Sequence, residues 1–130
     1  MTPEELKNRT RQFALHAIRL CDSLPNTRAA NIVANQLIRS ATSVGANYRA
    51  ACRARSNADF VSKIGITLEE ADESVYWMEL ILEGQMKTDT ELSKLIEEGH
   101  ELVAIFVASS NTARRRSGKQ SRRSNLKSSI

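Results

Sequence analysis

Apolar residues recur at intervals of three and four along most of the chain, which predicts amphipathic helices. The longest such series lies in the second half of the chain. It consists of Val61, Ile64, Leu68, Ala71, Val75, Met78 and Leu82. This spacing is typical of the inner seam of a helical bundle. Shorter series before and after it predict three further helices.

Capping signals place the ends of the four predicted helices. Thr2 and Glu5 form a capping box around Pro3, and Thr88 and Glu91 have the same spacing. The predicted helices run from Pro3 to about Asp22, from about Thr27 to about Arg55, from Ser56 or Asn57 to Gly84, and from Thr88 to about Ala113. Gly45 inside the second helix indicates close approach of a neighbouring helix, because glycine otherwise weakens a helix.

Four amphipathic helices joined by short turns predict an all-α fold, an up-down-up-down antiparallel four-helix bundle. The bundle is expected to occupy residues 1–113. The Ser- and Arg-rich segment 114–130 lacks an apolar pattern and is expected to be a disordered basic tail.

A second apolar stripe lies beside the seam of the third helix. It comprises Ile66, Trp77, Leu80 and Ile81. A helix with two apolar faces is expected to bury the second face against another subunit. These four residues are therefore the candidate oligomer interface, and the chain itself is the first expected partner.

Charge is distributed unevenly along the chain, whose net charge is +4. Segment 1–56 carries +6, segment 57–113 carries −9 and segment 114–130 carries +7. The acidic residues of the third helix are expected to pair with Arg39, Arg49, Arg53 and Arg55 of the second, or with another copy of the chain. Exposed pairs of this kind set register more than they add stability.

No pattern in the sequence indicates catalysis. Neither a nucleophile elbow nor a glycine-rich phosphate loop is found, and the histidines and cysteines lack metal-ligand spacing. Cys21 and Cys52 are expected to be core thiols in a reducing compartment. We therefore expect a protein that is not an enzyme and has no cofactor or metal. The sequence shows neither a signal peptide nor a membrane span, so a cytoplasmic location is expected.

Basic residues are the best candidates for a binding function. Three lie at the end of the second helix and seven in the tail. They are Arg49, Arg53, Arg55, Arg114, Arg115, Arg116, Lys119, Arg122, Arg123 and Lys127. Such side chains can neutralise the phosphates of RNA or other nucleic acid. The alternatives are a tail that only aids solubility, and a protein–protein interaction scaffold.

The central part of the chain also resembles a known family. The similarity rests on residues 41–49 (ATSVGANYR), on 53–60 (RARSNADF), on 63–66 (KIGI) and on several positions of 70–80 (EADESVYWMEL). These residues resemble the bacterial four-helix-bundle family related to proteins encoded in intervening sequences of 23S ribosomal RNA. The resemblance covers residues from about 10 to 112, and one family position differs, since Ala50 stands where a glutamate is usual.

The resemblance implies a cytoplasmic, non-enzymatic bundle that assembles as a homopentameric ring. Accessory proteins of diversity-generating retroelements are similar in fold, and they bind nucleic acid together with a reverse transcriptase. By this resemblance the expected partners are other copies of the chain, a nucleic acid and a partner protein.

Overall fold

A computed structural model describes the backbone of residues 1–128 and the side chains of residues 1–119. Its four helices are α1 (Pro3–Asp22), α2 (Arg28–Cys52), α3 (Asn57–Glu83) and α4 (Thr90–Ser128). Each helix packs on the next, and α4 returns to α1 along the least extensive of the four seams. This arrangement confirms the predicted four-helix bundle.

Three of the four helices begin where they are predicted to begin. The α1 capping box forms between Thr2 and Glu5, and the side chains of Thr27 and Ser56 cap α2 and α3. The predicted cap of α4 at Thr88 is wrong. The Asp89 carboxylate accepts the N–H of Leu92 at 3.1 Å, because Asp89 directly precedes the first helical residue.

The C-termini of α2 and α4 differ from the prediction, and α4 is described below. The second helix ends at Cys52, three residues before the predicted end at about Arg55. The third ends at Glu83 with Gly84 as its C-cap, as predicted, although Gly84 itself has φ −77° and the following Gln85 has the left-handed φ of 56°.

Beside the expected apolar side chains, the core includes four serine and threonine residues that have no solvent exposure. They are Thr10, Ser40, Thr67 and Ser74. Each hydroxyl donates to a carbonyl three or four residues earlier in its own helix. Ser74 Oγ also lies 2.9 Å from Ser40 Oγ, which joins α2 and α3. Since these hydroxyls are satisfied, small polar residues can occupy a close helix–helix contact.

The predicted close approach at Gly45 is confirmed. A Cβ atom at this position would lie 3.2 Å from Thr10 Oγ1 on α1. A second glycine, Gly99 on α4, is closer still to its neighbours, since its Cβ would lie 2.7 Å from Val75 Cγ2. Glycine thus sets the spacing of two helix pairs.

The fourth helix does not end at Ala113, contrary to the prediction, but continues to Ser128. Ala113 is nevertheless the last buried residue among the side chains that the structure describes. The helix continues because residues 114–128 contain no proline and several strong helix formers. We call residues 114–128 the C-terminal arm. Its disorder in solution and the division of the chain at residue 113 stay predictions.

Candidate nucleic-acid interface

The turn between α2 and α3 lies beside the start of the C-terminal arm. Asn57 Nδ2, in the first turn of α3, donates a 2.7 Å hydrogen bond to the carbonyl oxygen of Ala113 and another to Ser117 Oγ. Asn57 sits there because Ser56 caps α3 through its hydroxyl, 3.0 Å from the Asp59 N–H. The turn and the arm are therefore held at the same end of the bundle.

This contact brings two groups of basic residues together. One group belongs to the end of α2 and the turn, and the other belongs to the arm. They comprise Arg49, Arg53 and Arg55, and Arg114, Arg115, Arg116 and Lys119, and all seven side chains are exposed. We call these seven residues the basic end. Because they are far apart in sequence, only the fold could show that they share one end of the bundle.

The charges of the basic end are largely uncompensated. Among the described residues, no ion pair involves any of the seven side chains. Arg114 Nε donates to Ser110 Oγ at 3.2 Å, a neutral acceptor. Cations that lack acidic neighbours keep their full attraction for phosphate.

The nearest carboxylate on α3 is already engaged. Lys63 Nζ lies 2.8 Å from Asp59 Oδ2, and this hydrogen bond lowers the pKa of the Asp59 carboxyl, with a further contribution from Arg55. Asp59 is therefore ionised at neutral pH and forms its ion pair with Lys63. It reduces the positive charge at one edge of the basic end without cancelling it.

Three further predicted residues lie in the arm beyond the described side chains. They are Arg122, Arg123 and Lys127. Their role in nucleic-acid binding stays a prediction.

The predicted oligomer interface is corrected at one position. Ile81 is fully buried inside the bundle, so it cannot belong to an exposed stripe. Ile66 is 43% exposed, and Trp77 and Leu80 are half-buried. By helical spacing, these three residues lie on the outer side of α3. We call Ile66, Trp77 and Leu80 the apolar stripe.

Only part of the predicted charge pairing between α2 and α3 is present. Arg39 bridges Glu70, at 3.3 Å, and Glu73. Trp77 Nε1 donates to the same Glu73 carboxylate at 3.2 Å. The predicted pairs of Arg49, Arg53 and Arg55 do not form within the described chain, which leaves these arginines available to a ligand.

A groove between α1 and α4 was not predicted from the sequence. It has a volume of about 500 Å³ and opens at the end opposite to the basic end. Its lining mixes both signs of charge, including Arg19, Lys94, Glu91 and Glu98. Glu98 is held by Arg9, with Nε 2.7 Å from Glu98 Oε2. No sequence motif marks the groove, because it results from how far two helices separate.

The cysteines are both free thiols. Cys21 is buried and Cys52 is half-buried. Burial raises the pKa of the Cys21 thiol to about 11, with a smaller effect of Asp22. Within the described residues, no three His, Cys, Asp or Glu side chains are grouped as metal ligands. The described helices also include none that is long and apolar enough to cross a membrane.

The fold and the site together define the chain as a small helical bundle with a basic end. Comparison with known proteins makes this more specific. Residues 4–108 match the family model of the 23S rRNA-intervening sequence proteins, so the chain belongs to that family. The residues of the predicted resemblance lie within this range, and the resemblance is confirmed.

A solved structure supports the assignment. The chain is 32% identical to a protein of unknown function from Bacteroides thetaiotaomicron VPI-5482, described as a member of the S23 ribosomal protein family. The alignment covers 80% of this chain and 96% of that chain, with a TM-score of 0.74. No curated protein matches the chain. The family and this neighbour do not define a function, which must be argued from the surface.

Proposed function

We propose that this protein is a non-enzymatic, oligomeric bundle that binds RNA or another nucleic acid through its basic end. The observation that supports this most directly is the hydrogen bond between Asn57 and Ala113, which places the arginines of the α2–α3 turn next to those of the arm. Seven exposed cations from two parts of the chain then share the surface at one end of the bundle.

The chemistry of this surface favours phosphate recognition rather than base recognition. Arginine presents a planar fork of donors that matches phosphate oxygens. None of the seven residues is aromatic, so the surface offers no aromatic platform on which bases would stack. Binding should therefore depend strongly on salt and weakly on base sequence.

Oligomerisation is the second part of the proposal. The apolar stripe supplies the contact, with Ile66 exposed at its N-terminal end and Trp77 held by Glu73. Assembly would present several basic ends in one particle. Several weak phosphate-binding sites on one particle bind a long nucleic acid more tightly than one site does.

The proposed binding is tested by fluorescence anisotropy of a labelled fragment of structured ribosomal RNA at a fixed, moderate salt concentration. One variant neutralises the turn by Arg49→Gln, Arg53→Gln and Arg55→Gln. Each lost phosphate contact weakens binding, and we expect the triple variant to bind at least tenfold more weakly.

A matched control removes the same number of charges at the other end of the bundle. It carries Arg19→Gln, Arg28→Gln and Lys94→Gln, all at exposed positions. If net charge alone drives binding, the two variants lose affinity equally, and the basic end is not the site. If the unmodified protein does not bind, the proposal is wrong and an interaction scaffold becomes the better explanation.

A further inference from the structure

The outer face of α3 carries an acidic stripe that no described residue covers. Glu69, Asp72, Tyr76, Glu79 and Glu83 recur at intervals of three and four, and all five side chains are exposed. No ion pair involves its four carboxylates in the described part of the chain. Tyr76 is 55% exposed and stands edge-on to Trp77, with ring centroids 5.0 Å apart. A surface with four unpaired charges and an aromatic ring at its centre suits a cationic partner.

The C-terminal arm has the matching charge and length. Arg116, Lys119, Arg123 and Lys127 recur in the sequence with spacings of three and four. As a helix of 15 residues, the arm spans about 22 Å, and the stripe from Glu69 to Glu83 spans about 21 Å. The arm has no acidic side chain and the stripe has no basic one.

A helical arm cannot reach the stripe of its own chain. The arm leaves the bundle beside Asn57, at the first residue of α3. Glu69, the nearest residue of the stripe, lies about 18 Å along α3 in the opposite direction. The arm of a second copy meets no such restriction.

We propose that the C-terminal arm of one chain docks on the acidic stripe of another copy. The contact joins different surfaces of the two copies, so it is a heterologous contact that can close into a ring. It lies beside the apolar stripe, since Tyr76 and Trp77 are adjacent. The contact also uses cations of the arm that belong to the basic end. A nucleic acid bound to the basic end would therefore compete with the acidic stripe for these cations. The docking itself does not rest on the proposed nucleic-acid binding.

Energy transfer from Trp77 tests this contact in the full-length protein. Trp77 is the only tryptophan and lies next to the stripe, so it serves as the donor. The acceptor chain carries Trp77→Phe, Cys52→Ser and a dansyl group attached at Asn125→Cys. Buried Cys21, with its raised pKa, reacts slowly with the label. Transfer then occurs only between chains, and no nucleic acid is present.

The donor chain is compared with and without the stripe charges. Glu69→Gln, Asp72→Asn and Glu79→Gln together should raise the concentration for half-maximal transfer at least tenfold. The matched control removes two glutamates and one aspartate elsewhere on the exposed surface, by Asp22→Asn, Glu91→Gln and Glu97→Gln. It should change that concentration less than twofold.

Charge reversal excludes a merely structural effect. A donor with Glu69→Lys, Asp72→Lys and Glu79→Lys should regain transfer only with an acceptor whose arm carries Arg116→Glu, Lys119→Glu and Arg123→Glu. Absence of transfer between unmodified surfaces would overturn the proposal, and so would transfer that survives neutralisation of the stripe. Either result means that the arm lies elsewhere or that another partner covers the stripe. RNA binding by the basic end would remain a separate result.

Discussion

Two glycine-to-alanine substitutions should change stability in opposite directions. Gly65 and Gly99 both lie inside helices, where alanine is favoured by about 1 kcal/mol over glycine. A Cβ at Gly65 would meet no atom within 4 Å. A Cβ at Gly99 would lie 2.7 Å from Val75 Cγ2 and 3.3 Å from Met78 Cε.

The expected magnitudes follow from these distances. Gly65→Ala gains the full helix preference and should raise the free energy of unfolding by about 1 kcal/mol. Gly99→Ala gains the same preference but overpacks the core, which costs about 1–3 kcal/mol. Val75 cannot easily move aside, because it is a buried β-branched residue with a restricted χ1 angle. The net result should be a loss of about 1 kcal/mol.

Urea unfolding of the two variants, followed by circular dichroism, measures the difference. The free energies should differ by about 2 kcal/mol, which separates the midpoints by about 1 M at the slopes usual for small domains. The double variant Gly99→Ala with Val75→Ala provides the control. It should be more stable than Val75→Ala alone, because the clashing methyl group is gone and the helix preference remains.

Equal stabilisation by Gly65→Ala and Gly99→Ala would refute this reasoning. It would mean that α3 and α4 do not approach as closely at Gly99 as the structure shows. The same conclusion would follow if the Val75→Ala background left the effect of Gly99→Ala unchanged.

Three further predictions follow from corrected or buried residues. Ile66→Glu should lower the mass seen by light scattering and leave the unfolding midpoint nearly unchanged. Ile81→Glu should unfold the chain, because it places a charge in the core. A folded Ile81→Glu variant of lower mass would restore Ile81 to the interface. Asp89→Ala should lower the midpoint of thermal unfolding more than Thr88→Ala does, since Asp89 caps α4. Equal effects of the two substitutions would contradict Asp89 as the N-cap. Since burial raises the pKa of Cys21 to about 11, its contribution to stability is present below pH 9 and is lost as the pH rises through 11. The free energy of unfolding of Cys21→Ala, measured with urea at pH 9 and at pH 11, should therefore fall less than that of the unmodified protein. An equal fall in both proteins would contradict the raised pKa of Cys21.

The sequence predicted the elements of the fold well because each helix carries its own periodic signal. The caps at Thr2 and Ser56 are local, so they too could be predicted. The cap of α4 was missed by one residue, since both Thr88 and Asp89 are good capping residues. The continuation of α4 past Ala113 was missed because a helix without an apolar face gives no periodic pattern.

Ile81 shows why the core was only partly predictable. Thr67, Ser74 and Ile81 follow one another at seven-residue intervals and are all buried. Two of the three are polar, so an apolar pattern does not detect this part of the inner face. The hydroxyls are tolerated because they bond to carbonyls of their own helix. Ile81 therefore appeared to belong to the outer stripe.

The candidate site was predictable in its residues but not in its geometry. The arginines of the turn and of the arm stand out as charge in the sequence. That Asn57 joins them depends on a contact over 56 positions in sequence. Such a contact leaves no local signal, and neither does the separation of α1 and α4 that opens the groove.

The salt dependence of RNA binding tests the central claim most directly. Anisotropy titrations of the unmodified protein and of the Arg49→Gln, Arg53→Gln, Arg55→Gln variant would be repeated across a series of salt concentrations. If the basic end binds phosphates, the logarithm of the affinity falls linearly with the logarithm of the salt concentration, and the variant's slope is smaller by about 2 to 3. An unmodified protein whose binding does not respond to salt, or a variant with an unchanged slope, would contradict the claim.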